Sequence, residues 1–232
     1  MHLFYSKQIG KSEIVLDSDE SRHLAKVLRL QDGEQVIVID GLGKRYQCSI
    51  VSANHKKALL TIDKTENLAE HFGISIAAAP TKNLNRWEWF LEKSTEIGID
   101  AIYPIISFHS ERKVLKRDRQ ERILISAMKQ SYKATLPKLG DIEKFDSFLK
   151  VDFKGQKLIA HCYEEIGKSN LKQVFRKGED ALILIGPEGD FSEIEVKKAI
   201  ESGFTPISLG ESRLRTETAA LIACHSIHLL NE

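Results

Sequence analysis

The chain has 232 residues, with 34 Lys or Arg against 33 Asp or Glu, a balance that excludes recruitment of a polyanion by bulk charge and leaves any nucleic-acid contact to local clusters. Its three cysteines, Cys48, Cys162 and Cys224, are odd in number, far apart and without a C-x-x-C pair, which argues against a disulfide framework and against a zinc site. No apolar run reaches the roughly 18 residues of a membrane span, and the start MHLFYSKQIGKSE has no signal-like apolar stretch, so the expectation is a cytoplasmic protein with no metal and no membrane partner.

Residues 1–70 read as a small β-barrel. Strands are expected at Glu13–Leu16, Gln35–Asp40, Tyr46–Val51 and Ala58–Asp63, with turns at Gly33 and Gly41-Leu42-Gly43. One helix fits, Asp19–Leu30, where Leu24, Val27 and Leu28 recur at helical spacing. It also carries Arg22, His23, Lys26 and Arg29, either a phosphate-backbone contact or a solvated face. Near residue 70 the period changes. Strands at Ile74–Ala79, Ala101–Ser107, Lys157–Cys162, Ala181–Ile185 and Thr205–Leu209 alternate with helices at Asn85–Ile97, Lys116–Gln130, Ser192–Ser202 and Glu217–Leu230. Such alternation predicts a parallel sheet covered by helices on both faces, and hence two domains, 1–70 and 71–232.

Within the second domain, Trp87, Phe90, Leu91, Ser94 and Ile97 share one helical face and read as core, with Trp89 off the stripe. Residues 109–138 hold nine Lys or Arg against three acids, which fits a solvated basic helix or a nucleic-acid backbone contact. Only Tyr132 interleaves, so no groove reading single-stranded sequence is expected there. Gly167-Lys168-Ser169 and Gly10-Lys11-Ser12 fail the phosphate-loop template, whose first glycine would fall on Cys162 or Tyr5. In His161-Cys162 the side chains should point to opposite faces of a strand, with the cysteine buried. Ser192 and Glu195 match a capping box.

The organising stretch is Ala181–Ala220. An apolar run, Ala181–Ile185, breaks at Gly186-Pro187-Glu188-Gly189, and a second strand stops at Gly210 before the polar stretch Glu211–Glu217 enters the last helix. Two strand ends each opening into a glycine-containing loop ahead of a helix is where parallel sheets bind ligands. Glu188 adds a carboxylate that a simple turn does not require, and Arg213, Arg215 and Glu217 crowd charge at the start of a helix apolar nearly all round, which a symmetric dimer would bury.

IGPEGDFSEIE at 185–195 followed by LGESRLRTETA at 209–219 resembles the paired signature of the SPOUT-class ribosomal RNA methyltransferases of the RsmE type. The likeness spans the chain: SRHLAKVLRLQDGEQVIVIDGLGKRYQCSI at 21–50 is similar to that family's PUA-like RNA-binding domain, and RWEWFLEKSTEIGIDAIYPI at 86–105 and AMKQSYKATLPKL at 127–139 match two further segments. It implies a PUA-like β-barrel followed by an α/β SPOUT domain with a deep trefoil knot, whereas periodicity alone leads to an unknotted doubly wound sheet. It also implies a homodimer, S-adenosylmethionine as cofactor, and methylation of N3 of a uridine in small-subunit ribosomal RNA within the assembled subunit. The cofactor would lie against His161, Ile185, Gly186, Pro187, Glu188, Gly189, Leu209, Gly210, Leu214, Arg215, Thr216 and Ala219. Arg215, Glu217 and Glu188 would serve the chemistry, Arg215 stabilising a uracil oxyanion and either carboxylate orienting it or taking the proton; the alternative for Arg215 is a salt bridge with Glu217 or across the dimer. Arg22, Arg29, Lys82, Arg86 and Arg112 would hold RNA phosphates. Ser212, Arg213 and His2 depart from the family pattern. A non-catalytic assembly factor and a methyltransferase of another RNA or of protein are the competing functions.

Overall fold

The computed structural model describes residues 1–68 and 73–232. The chain forms two compact units, Met1–His71 with Ile125–Leu136, and Phe72–Leu124 with Pro137–Glu232.

In the first unit β1 (Leu3–Tyr5), β2 (Glu13–Val15), β3 (Gln35–Ile39), β4 (Lys44–Ser52) and β5 (Leu59–Asn67) make one sheet in the order β1-β3-β4-β5-β2. The three-residue β1, too short to stand out in the sequence, pairs parallel to β3 and the other pairings are antiparallel. Alternate residues of β3 and β4, among them Val36, Val38, Tyr46, Cys48 and Ile50, meet Phe4, Ile14, Leu24 and Leu60 in a core, the period-two signature of half-buried strands. The helix expected over Asp19–Leu30 is in fact two pieces. α1 (Ser18–Arg22) is capped by the Asp17 carboxylate, which accepts from the Glu20 amide, and a π-helical turn, His23–Val27, follows. The Leu28 amide donates to the His23 carbonyl, five residues back. That wider turn puts the apolar stripe out of phase: Leu24 is fully buried, whereas Val27, expected beside it, is 64% exposed.

The basic run 109–138 is not a single solvated helix. Its Ile125–Leu136 part belongs to the first unit, where Met128 and Ala134 pack with Tyr5 and Ile39. There Lys129 forms a shielded ion pair with Glu20, whose carboxyl is pushed above its ordinary value by burial.

In the second unit the elements alternate as β6 (Ile74–Ala78), α2 (Leu84–Ile97), β7 (Ala101–Ile106), α3 (Arg117–Gln130), β8 (Lys138–Leu139), β9 (Glu143–Lys144) and α4 (Phe145–Phe148). They continue as β10 (Gln156–Ala160), β11 (Ser169–Asn170), α5 (Leu171–Val174), β12 (Ala181–Ile185), α6 (Glu193–Glu201), β13 (Thr205–Ser208) and α7 (Thr216–Asn231). The sheet runs β11-β13-β10-β12-β6-β7-β8, with β9 also on β7. Its pairings are all parallel. Every residue of β6 and β12 is buried, the continuous apolar run demanded by a strand covered on both faces.

Trp87, Phe90, Leu91 and Ser94 form the buried face of α2, while Trp89 is 41% exposed. The Trp87 indole donates to Gln120 Oε1 at 3.2 Å, tying α2 to α3. α7 packs on α2 and against β6 and β12. Among the described residues no helix is long and apolar enough to cross a membrane.

Candidate active site at three strand ends

β10 lies between β12 and β13, with Ala160 level with Ile185 on one side and Ile207 on the other. The carboxyl ends of three neighbouring strands therefore open at one edge, and the first turn of α7 stands over them. They enclose a cavity of about 910 Å³ whose wall includes His161, Ile185, Gly186, Pro187, Glu188, Leu209, Gly210, Leu214, Arg215, Thr216 and Ala219. Both glycine-containing loops of the sequence signature thus meet across β10. Gly189 and Glu217 do not form the wall: Gly189 lies against the His109 side chain, and Glu217 is buried in α7.

Close packing sets the shape of the first loop. A Cβ on Gly186 would come within 2.9 Å of the Phe191 amide nitrogen, so only glycine fits. Asp190 has a φ of 64°, a conformation that short Asp and Asn side chains tolerate. Its carboxylate accepts from the Phe191 amide and from the Cys162 amide, both at 2.7 Å, and so pins the loop after β12 to the loop after β10. Glu188 Oε1 accepts from the Lys82 amide at 2.9 Å, which joins the same loop to the turn ahead of α2. At the second loop, Gly210 has a φ of 128° and a Cβ there would meet nothing within 4 Å, so glycine is required by backbone conformation, beside open space. The expected capping box is present: Ser192 and Glu195 satisfy each other's amides at the start of α6.

Electrostatically the cavity is mixed. His161 is buried, and neither of its ring nitrogens has a hydrogen-bond partner among the described residues. Burial, with the nearby Lys168 ammonium adding, holds its pKa below the ordinary value and keeps the imidazole neutral. His161 forms part of the cavity wall with both ring nitrogens covered and unpartnered, a costly arrangement that a polar ligand reaching the ring would relieve. Cys162, expected to be buried, is exposed on the cavity wall, because β10 ends at Ala160 and strand alternation no longer applies. Arg213 and Arg215 stand exposed on the wall, their guanidinium groups free of any hydrogen bond or ion pair among the described residues. Arg215 does not bridge to Glu217. That carboxylate instead faces Arg86, Oε1 to Nε at 3.7 Å, with Oε2 buried and unpartnered.

The cations expected to hold phosphates have local partners in this unit: besides Arg86, Lys82 pairs with Glu111 at 2.8 Å, and Arg112 donates to the carbonyls of Thr81 and Lys82. Arg22 and Arg29 belong to the first unit and are exposed. Sequence reasoning missed Asp190 and Lys168 as wall or support residues, and named Arg213 only as charge ahead of α7 and as a departure from the family pattern. An acid directly after a tight Gly-Pro-Glu-Gly turn was the available signal for the first. Among the described residues no cluster of His, Cys, Asp and Glu could hold a metal ion.

This arrangement defines a parallel α/β domain with a ligand-sized pocket, walled largely by strand-end loops and preceded in sequence by a small β-sheet unit. An RNA methyltransferase domain model matches residues 69–228, and an RNA methyltransferase PUA domain model matches residues 16–63. The chain is 30% identical to Ribosomal RNA small subunit methyltransferase E of Bacillus subtilis, over 94% of this chain and 90% of that protein. A probable rRNA-methyltransferase from Porphyromonas gingivalis superposes with a TM-score of 0.93 at 43% identity, over 100% of this chain and 98% of that one. Ribosomal RNA small subunit methyltransferase E from Neisseria gonorrhoeae, solved bound to S-adenosyl methionine, superposes with a TM-score of 0.88 at 29% identity, over 99% of this chain and 98% of that one. The chain belongs to the RNA methyltransferase family, in its RsmE group.

Proposed function

We propose that the protein transfers a methyl group from S-adenosylmethionine to N3 of a uridine in small-subunit ribosomal RNA. The observation that carries this reading is the single cavity where both signature loops meet the end of β10. S-adenosylmethionine, when bound, supplies a methyl carbon already activated by its sulfonium. The residues around the cavity fit it: the loops 185–190 and 209–216 offer backbone groups, Leu209, Leu214 and Ala219 offer apolar wall, and the buried His161 imidazole stands beside them.

N3 of uridine carries a proton at neutral pH, so its attack needs a proton acceptor or stabilisation of the developing anion. Arg215, permanently charged and unpaired among the described residues, is suited to the uracil oxygen. Glu188 holds the Lys82 amide through Oε1. Of the two acids Glu188 stands on the cavity wall, whereas Glu217 is buried off it and faces Arg86, so a direct proton-accepting role falls to Glu188 and a positioning role to Glu217. Arg22 and Arg29 are proposed as phosphate contacts, with Lys82, Arg86 and Arg112 contributing residual positive charge.

The proposed boundary near residue 70 fits family models covering 16–63 and 69–228. A trefoil knot, a cytoplasmic location and action on the assembled subunit belong to the same reading. So does a homodimer, favoured by Ile222 and Leu229, exposed at 36% and 58% on α7 and seven residues apart on one helical face. The test is mass spectrometry of nucleosides from small subunits incubated with the protein and S-adenosylmethionine. N3-methyluridine should accumulate, and Arg215→Ala should lower turnover about 100-fold or more, far more than it lowers cofactor affinity. Absence of the product with wild-type protein would exclude the reading.

A further inference from the structure

We propose that the turn Ser107–Ser110 is an RNA-docking element in which Phe108 stacks on a base beside the donor cavity. This rests on the RNA-substrate reading above.

The turn is held from several directions. The Ser110 amide donates to the Ser107 carbonyl at 3.1 Å, and the Ser107 amide to Ser110 Oγ at 2.9 Å. Both serines are buried. The Phe108 amide donates to Glu195 Oε1 at 2.8 Å, and the His109 ring hydrogen-bonds through Nδ1 to the Asp190 carbonyl at 3.0 Å while covering Gly189. Asp190 itself lines the cavity, so this turn stands one residue behind the cavity wall.

On that fixed frame Phe108 is 78% exposed, with its ring edge against His109 at 4.9 Å and 78°. Single exposed apolar residues are ordinary. A phenyl ring presented on an anchored turn is different, because the backbone part of its ordering cost is already met before a partner arrives. The following residues supply the complementary charge: a cleft of about 260 Å³ is lined by Lys82, Glu111, Arg112, Lys113 and Val114, and Lys113 has no ion pair among the described residues. An exposed ring next to a basic cleft matches a polyanion with stackable faces, which is an unpaired stretch of RNA. The basic run in the sequence signalled the charge; its aromatic lies one residue upstream of that run.

The experiment measures affinity for assembled small subunits across a salt series, together with calorimetric S-adenosylmethionine affinity. Phe108→Ala should weaken subunit binding about 5- to 150-fold, leave cofactor affinity unchanged and leave the salt slope unchanged, since no counterion release is lost. Lys113→Ala should instead reduce the slope by about one phosphate. Phe108→Trp should bind like wild type, with subunit-dependent quenching of the added indole beyond that of the native Trp87 and Trp89. Wild-type subunit affinity in Phe108→Ala overturns the proposal, as does dissociation of a dimer by that substitution in sedimentation, which would make the ring a contact between copies. Wild-type protein that binds no RNA sinks the substrate reading itself, whereas wild-type binding with an indifferent Phe108→Ala sinks this inference alone.

Discussion

At the scale of single residues, His161 has the most testable electrostatics. Its pKa is depressed in the folded protein by burial and by Lys168, from an ordinary value of 6.5. The unfolded chain therefore takes up the proton first as pH falls. Above pH 6.5 both states are neutral and the residue adds no pH dependence; between 6.5 and the depressed value, acid lowers stability; below it the loss is constant. Thermal melts of His161→Gln should be flatter than wild type across that window, and superimposable profiles would contradict this. That His161 lies beside the cavity was legible only through the family resemblance, since the expected strand, Lys157–Cys162, ran past the observed end of β10 at Ala160. The exposure of Cys162 was not, because alternation was extended past Ala160, where the strand stops. Nor was the pairing of Glu217 with Arg86, which are far apart in sequence and meet only because α7 packs on α2.

Among elements, the ones that position the site were those with the clearest local signals. β12 is a run of five buried apolar residues, and α6 begins with reciprocal Ser192 and Glu195 hydrogen bonds. Ser192→Ala should cost about 1 kcal/mol, read as a lower denaturant midpoint with an unchanged slope; a change within experimental error would mean the cap is dispensable. Glu195 also holds the Phe108 amide, so its loss acts on two loops. Where periodicity misled, the cause was local geometry: the π-helical turn at His23–Val27 rotates Val27 into solvent and leaves Leu24 inside. A helix pattern read at 3.6 residues per turn has no means of registering that change.

For the whole molecule, the parallel sheet was legible as alternating strand and helix periods, but its order was not. Nothing local says that β10 lies between β12 and β13, and this long-range fact brings two separate sequence signatures to one cavity. The assignment of Ile125–Leu136 to the first unit was hidden for a similar reason, since Met128 and Ala134 are apolar in any helix and reveal their partners only through tertiary packing. The most direct measurement is a crystal structure of the protein grown with S-adenosylmethionine. The account predicts the ligand lodged among His161, the loop 185–190 and the loop 209–216. Density for it at any other place, or none at saturating concentration, would contradict the account.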